Sequence, residues 1–305
     1  MSINDRRVAA GMCAVIAILV GLTAALGVIL RGDGSTELVT SVRGETYEMA
    51  VTGVYAYNAE RVVAEGIGWD IVTLAAVVPA MLIAVPFAAR GSLRGRLLAI
   101  GLLGYTSYMY LEYAVTWAFG PLFPLFVVIL AASVVAIVRI ASDVARDGLE
   151  GRFGSGFPRR SWAAISLAMG GLLTLMWAQR IVTSLGAEAP ELLGETTMTV
   201  QALDLGLMIP ASVLAAALVL RRSLPGYAFA TAFVVTYVAM AAAITAMLLS
   251  AWAVTGTLEV VPVGVFAVAL LAGIVVAVRA HRSVIPAPRT LELTLRVRAP
   301  APAHG

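Results

Sequence analysis

The chain has no lysine, one cysteine and two histidines, and charged side chains make up only 13% of its 305 residues. Each shortage removes a class of chemistry. Without lysine, no retinal or pyridoxal phosphate can be held as a Schiff base. The lone Cys13 excludes an intrachain disulfide and any paired-thiolate redox or metal motif. The histidines, His281 and His304, fall in the C-terminal region. No predicted span therefore carries a histidine to ligate haem or zinc or to activate a serine. No cofactor is expected. All 21 basic residues are arginine, and with abundant Ala, Gly and Val this points to a GC-rich prokaryotic genome.

What fills the chain is apolar. Hydrophobic residues make up 60% and the mean hydropathy is +0.93, against about half apolar and a quarter charged in soluble domains. Several apolar runs are long enough to cross ~30 Å of hydrocarbon. The reading is an all-α polytopic bundle of eight transmembrane helices, near 8–30, 69–90, 97–118, 121–139, 162–184, 204–220, 227–252 and 260–279. Arg6 and Arg7 precede the first run as they would a signal peptide. The run is too long for a signal core of about 7–15 residues and reads as an uncleaved span. The partner is the lipid bilayer. With a pI near 9.2 a soluble chain would suggest nucleic acid, but arginines at span ends are explained by orientation, and no nucleic-acid partner is expected.

Charge sets that orientation. With the N-terminus inside, only Arg31, Arg43, Arg61 and Arg180 of the 21 arginines lie outside, so both termini are expected in the cytoplasm of a prokaryotic cell, the spans in its inner membrane. The acidic residues distribute the other way. Two external loops are large, 31–68 and 185–203. In the first, Asn58 to Gly66 reads as a short capped helix. The stretch before it reads equally as a β-hairpin or an irregular lid. Segment 140–161 is a cytoplasmic linker whose Arg152, Arg159 and Arg160 either anchor orientation or meet lipid phosphates. The tail, 283–305, is Ala/Pro-rich and expected to lack structure.

The chain repeats itself. With Pro79 set against Pro210, PAMLIAVPFAARGSLRGRLLA faces PASVLAAALVLRRSLPGYAFA at an offset of 131, sharing an Arg-x-Ser-Leu-x-Gly turn. Gly-Glu-Thr precedes each hairpin, at Gly44–Thr46 and Gly194–Thr196. The expectation is a 4+4 parallel repeat, 1–139 and 162–282, as found in some transporters. QALDLGLMIP followed by RRSLPGYAFA, and GWDIVTL followed by a Tyr-rich span, resemble segments of uncharacterised prokaryotic multi-pass membrane proteins over roughly residues 68–240. The resemblance implies no activity.

Candidate chemistry centres on Glu112, the carboxylate deepest in an apolar run. Gly101, Tyr105, Tyr108 and Glu112 share one helical face, with glycine allowing close helix approach. Tyr110, Tyr113 and Trp117 lie on the other side, where an interfacial aromatic belt is expected. A carboxylate within a span is a functional candidate by default, although a tyrosine or arginine partner would make it structural. Asp70 and Asp204 each open a span, where helix capping explains a carboxylate and a solute site does too. The repeat aligns Asp70 with Gln201 and Thr73 with Asp204. Arg180 either snorkels to headgroups or neutralises an anion. Pro79, Pro86 and Pro210 sit inside spans and are expected to kink them. The leading reading is a small transporter or permease with an outward vestibule of Asp70, Tyr105, Tyr108, Glu112, Arg180 and Asp204. An accessory subunit or sensor binding a partner subunit or its own copy is the alternative. A membrane enzyme acting on a lipid-linked substrate, with Asp70, Asp204 and Glu112 able to hold a divalent metal, is a third.

Overall fold

The structure, a computed structural model, describes residues 3–286. Eight helices dominate it: α1 (Ile3–Ile29), α2 (Glu60–Ala89), α3 (Leu93–Thr116), α4 (Phe123–Asp147), α5 (Arg159–Leu185), α6 (Thr199–Leu220), α7 (Leu224–Thr255) and α8 (Val260–Ser283). All but α3 are long and apolar enough to cross a membrane, which fits a multi-pass integral membrane protein. α3 has the length, 24 residues or about 36 Å at ~1.5 Å per residue. Its composition is more polar because it is wrapped by α2, α4 and α7, and it buries Arg96, Tyr105, Tyr108, Tyr110, Glu112 and Tyr113. A helix enclosed by helices has little lipid face to keep apolar. Tyr110 and Tyr113 are fully buried against Phe126 and do not form the expected interfacial belt.

The neighbours of each helix follow one order in both halves of the chain. α1 packs on α2 and α4, and α3 packs on α2 and α4. In the same way α5 packs on α6 and α8, and α7 packs on α6 and α8. The halves meet where α7 lies against α2 and α3. Gly101 of α3 makes this approach possible: a Cβ there would run into the Ala232 carbonyl and the Val235 side chain of α7. The space is used by a hydrogen bond, Thr236 Oγ1 to the Gly101 carbonyl, at 2.8 Å.

Both α2 and α6 contain one widened, π-helical turn, Thr73–Val77 and Asp204–Met208, at the offset of 131. Each ends two residues before a proline, Pro79 or Pro210. Proline lacks the N–H for the carbonyl four residues back and its ring crowds that carbonyl, so a wider turn relieves the clash. The Arg-x-Ser-Leu-x-Gly turns also share geometry. Ser92 and Ser223 cap α3 and α7 by accepting from the Gly95 and Gly226 amides, both at 3.4 Å. Either glycine with a Cβ would strike the preceding helix at Ala88 or Leu218.

At the arginine-rich end the two halves are held differently. In the first, Asp147 is ion-paired with Arg96 at 2.9 Å and accepts from Arg6 at 3.3 Å, while Arg139 bonds Asp5 at 3.0 Å. In the second, Tyr227 stands where Arg96 would align and stacks on Phe157. Arg94 reaches between the halves to the Val284 carbonyl at 2.6 Å.

At the opposite end, segment 36–50 is a β-hairpin, with strand β1 (Thr36–Thr40) antiparallel to β2 (Thr46–Ala50). The short helix expected to stop at Gly66 does not stop. It continues as α2, and Gly66 serves instead as the seat of the Trp117 indole. Asn58 does not cap it either; its side chain accepts from the Ala118 amide at 2.8 Å and donates to the Tyr55 carbonyl at 2.9 Å. The linker expected from residue 140 is helical to Asp147. Likewise α8 runs on to Ser283, so His281 is on a spanning helix after all. Most of the tail expected to lack structure, from 287 on, lies outside the described residues.

The close contact at Gly101 gives a first prediction. Gly101→Ala should lower stability by about 1–3 kcal/mol through overpacking. Gly171→Ala, where a Cβ meets nothing within 4 Å, should shift it by no more than about 0.5 kcal/mol. Thermal unfolding in mild detergent, compared between the two variants, checks this.

Candidate functional site

The candidate residues fall into two groups on either side of α3. The first surrounds Asp70, which is completely buried. Its carboxylate accepts from the Tyr55 hydroxyl at 2.6 Å and the Tyr113 hydroxyl at 3.4 Å. Tyr55 comes from the loop after the hairpin, and Trp117 packs on both tyrosine rings, with centroids 4.6 and 4.5 Å away. Gly27 of α1 faces the carboxylate, where any side chain would overlap Asp70 and Tyr55. Hydrogen bonds to a charged acceptor contribute about 1.5–3 kcal/mol each, the scale needed to hold a carboxylate away from water. Tyr105 lies next to this group. Its hydroxyl meets Thr73 at 2.8 Å, at the start of the widened turn of α2.

The second group lies between the halves. Asp204, at the start of the widened turn of α6, accepts from Tyr108 of α3 at 2.5 Å and from the Trp177 indole of α5 at 2.9 Å. Glu112, one helical turn beyond Tyr108, is 7% exposed. It stands within electrostatic reach of Asp204, Glu65 and Glu195. Among the described residues its carboxyl has no hydrogen-bond or ion-pair partner; the Thr116 hydroxyl donates to its backbone carbonyl at 2.6 Å. Neither of the partners that would make it structural, a tyrosine hydroxyl or an arginine, is bonded to it.

The structure thus joins Glu112, Asp204 and Tyr108 and leaves Asp70 in its own cage of aromatic residues. Arg180 is exposed and donates to the Glu191 carbonyl at 3.1 Å. It acts on Glu65 and Glu195 through the electrostatic field rather than by contact with Glu112. The described residues contain no group of three or more His, Cys, Asp or Glu side chains able to hold a metal ion. The three-carboxylate metal centre of the enzyme reading therefore does not form.

At the hairpin end the two long loops are tied to each other. Glu45 accepts from the Leu193 and Gly194 amides at 2.9 and 3.2 Å. The next residue, Glu195, is within electrostatic reach of Glu112. Burial pushes the Glu195 carboxyl up to about 7, against the opposing pull of the Thr199 amide and Arg180. Glu65 is held by Arg61 at 2.9 Å, and Arg61 bonds Glu259 at 2.6 Å. Glu65, Glu195, Trp177 and Tyr55 were not among the sequence candidates. The Gly-Glu-Thr repeat marked Glu195, and Trp177 stands one turn from Arg180; nothing in the sequence marked Tyr55.

No family model, curated protein or solved structure matches the chain. The functional reading rests on the geometry alone.

The raised Glu195 carboxyl has a consequence for stability. Its unfolded value is 4.5 and its folded value about 7, so the folded protein holds a proton there that the unfolded chain releases. Stability relative to Glu195→Gln should therefore fall as pH rises from 4.5 to 7 and level off above. Melting temperatures of both proteins across this range test it. A constant difference would rule out the raised carboxyl.

Proposed function

We propose that the protein is a small membrane transporter or permease in which Glu112, paired electrostatically with Asp204, carries a proton or monovalent cation. One observation supports this above the others: Glu112 is a carboxyl buried in a helical membrane protein with no donor or cation beside it. An ionised carboxylate at such a place costs several kcal/mol, which a bound proton or cation removes. Asp204 next to it is held by Tyr108 and Trp177, so the two carboxyls differ in ability to accept a charge. In this reading α3 is an eighth crossing, with its polar side chains turned to the bundle interior. Both termini are cytoplasmic in a prokaryotic inner membrane, and the halves are parallel repeats about an axis along the membrane normal. The shared neighbour order and the matched widened turns support the repeat.

A second reading, an accessory subunit or sensor binding a partner subunit or a second copy, draws on the hairpin. It displays Leu38 and Val42 at 70% and 89% exposure on the outside of the bundle. Hairpin deletion that strips a stoichiometric partner while leaving flux intact would favour it.

The transport reading is tested in liposomes containing the purified protein and a trapped pH indicator. Under an imposed potential the protein should acidify or alkalinise the lumen. Glu112→Gln should reduce that flux to the level of protein-free vesicles, and Glu112→Asp should retain part of it. Undiminished flux in Glu112→Gln would remove Glu112 from the mechanism.

A further inference from the structure

The hairpin has one edge that the chain covers and one that it leaves open. At its two ends the Ser41 amide donates to the Glu45 carbonyl at 2.7 Å and the Val51 amide to the Ser35 carbonyl at 3.1 Å. Bonding direction alternates along an antiparallel ladder. Glu37 and Val39 therefore also bond towards β2, while Thr36, Leu38 and Thr40 turn their N–H and C=O groups away from it. On the far side of β2 the chain itself supplies partners. The Ala50 amide donates to the Asn58 carbonyl at 3.0 Å, and the Ala50 carbonyl accepts from the Tyr57 amide at 2.7 Å. Among the described residues the sheet has no third strand, so the outward row of β1 is open. The strand, Thr-Glu-Leu-Val-Thr, also lacks the proline or lysine that blunts many edges.

The open row is complementary to itself. Set antiparallel to a second copy with Leu38 opposite its counterpart, Thr36 faces Thr40, and each of the three residues gives one N–H and receives one at its C=O. Glu37 then faces Val39, so no like charges oppose each other. Leu38, 70% exposed, covers the same side chain of the other copy. The ends match as well. Asp33, exposed and bonded by the Thr52 hydroxyl at 2.7 Å, precedes the strand, and the exposed Arg43 follows it. Antiparallel pairing sets the Asp33 end of one copy beside the Arg43 end of the other. The two-fold axis of such a pair is normal to the sheet, so the same face of both hairpins stays on the same side. That face carries Val39 and Tyr47, and Tyr47 stands so near Gly194 that a Cβ there would overlap its ring. The Gly194 loops of both copies thus lie on one side of the joined sheet, as two copies in one membrane require.

We infer that the open edge of β1 is a self-pairing surface that joins two copies of this chain, two strands from each, in one antiparallel sheet. The inference takes up the second copy named in the accessory reading and holds whether or not Glu112 moves a charge. Both copies use the same edge, so the contact closes at a dimer.

Cysteine cross-linking in liposomes tests this. The chain's one cysteine, Cys13, is buried in α1, so wild type should give no covalent dimer. Residues opposed in a hydrogen-bonded antiparallel pair have Cα atoms about 5.5 Å apart, within reach of a disulfide. Leu38→Cys, oxidised with copper phenanthroline, should therefore form a dimer that a reductant dissolves. Glu48→Cys is the comparison, since Glu48 is exposed on β2 directly across from Leu38. It would stand three strand spacings, about 14 Å, from its counterpart, and its dimer yield should be several-fold lower. Equal yields mean chance collision and overturn the pairing. Leu38→Pro removes an N–H that points away from β2 and spares the hairpin ladder. In mild detergent wild type should sediment as a dimer, and Leu38→Pro as a monomer of unchanged helical content. A monomeric wild type or a dimeric Leu38→Pro also overturns the pairing. None of these readouts measures flux, so the assay of Glu112 stands or falls separately.

Discussion

The contact of α3 with α7 at Gly101 is the constraint on which the rest of the molecule depends. Inside a bilayer, helices gain little from apolar burial because lipid is as apolar as leucine. Association relies on close packing and on polar groups that find partners. Removing one Cβ at Gly101 lets α7 come near enough for Thr236 to bond the Gly101 carbonyl. That approach brings α7 alongside α2 as well, where Gly68 faces the α7 backbone at Ala246. With the halves fixed in this way, Tyr108 of α3 reaches Asp204 of α6. The candidate site is thus a product of the interface between halves and belongs to neither alone.

One template is put to different uses on its two sides. The capped turns and widened turns recur at the offset of 131, where the same serine cap, close-packed glycine and proline recur. Side chains at matched places diverge. Arg96 joins an ion-pair network where Tyr227 joins an aromatic stack. Thr106 bonds its own helix where Tyr237 gathers two serines. Glu112 aligns with Ala243, and Thr73 with Asp204. Local backbone geometry at these turns therefore recurs while the polar side chains around them differ.

Much of the fold was legible because membrane helices announce themselves by length and hydropathy. The spans of α1, α4, α5 and α8 were readable within a turn or two at most ends. The error at Gly66 has a clear cause: glycine was read as a helix stop, but here it makes room for Trp117, a use that depends on a residue about 50 positions away in the chain. The aromatic belt failed for a similar reason. Tyr110 and Tyr113 are near a span end, yet α3 is enclosed, and enclosure is a property of the neighbours rather than of the helix. Helical spacing placed Tyr108 and Glu112 on one face. It could not say that Asp204 would stand opposite them while Asp70 was caged by Tyr55 from a loop. Position along a helix was readable, whereas which helix lies across from it was not.

The two buried carboxylates illustrate what separates a structural acid from one able to work. Asp70 and Glu112 are both buried inside the helical bundle. Asp70 has two tyrosine donors and an aromatic wall, with Gly27 allowing α1 to close over it. Any movement of a charge onto or off Asp70 would have to break those bonds. Glu112 has no donor to lose and faces other carboxyls, so the environment favours bringing something to it. A carboxyl left without a partner is poorly arranged to hold a fold together. A proton or cation brought to it would meet no hydrogen bond of the Glu112 carboxyl that had first to break.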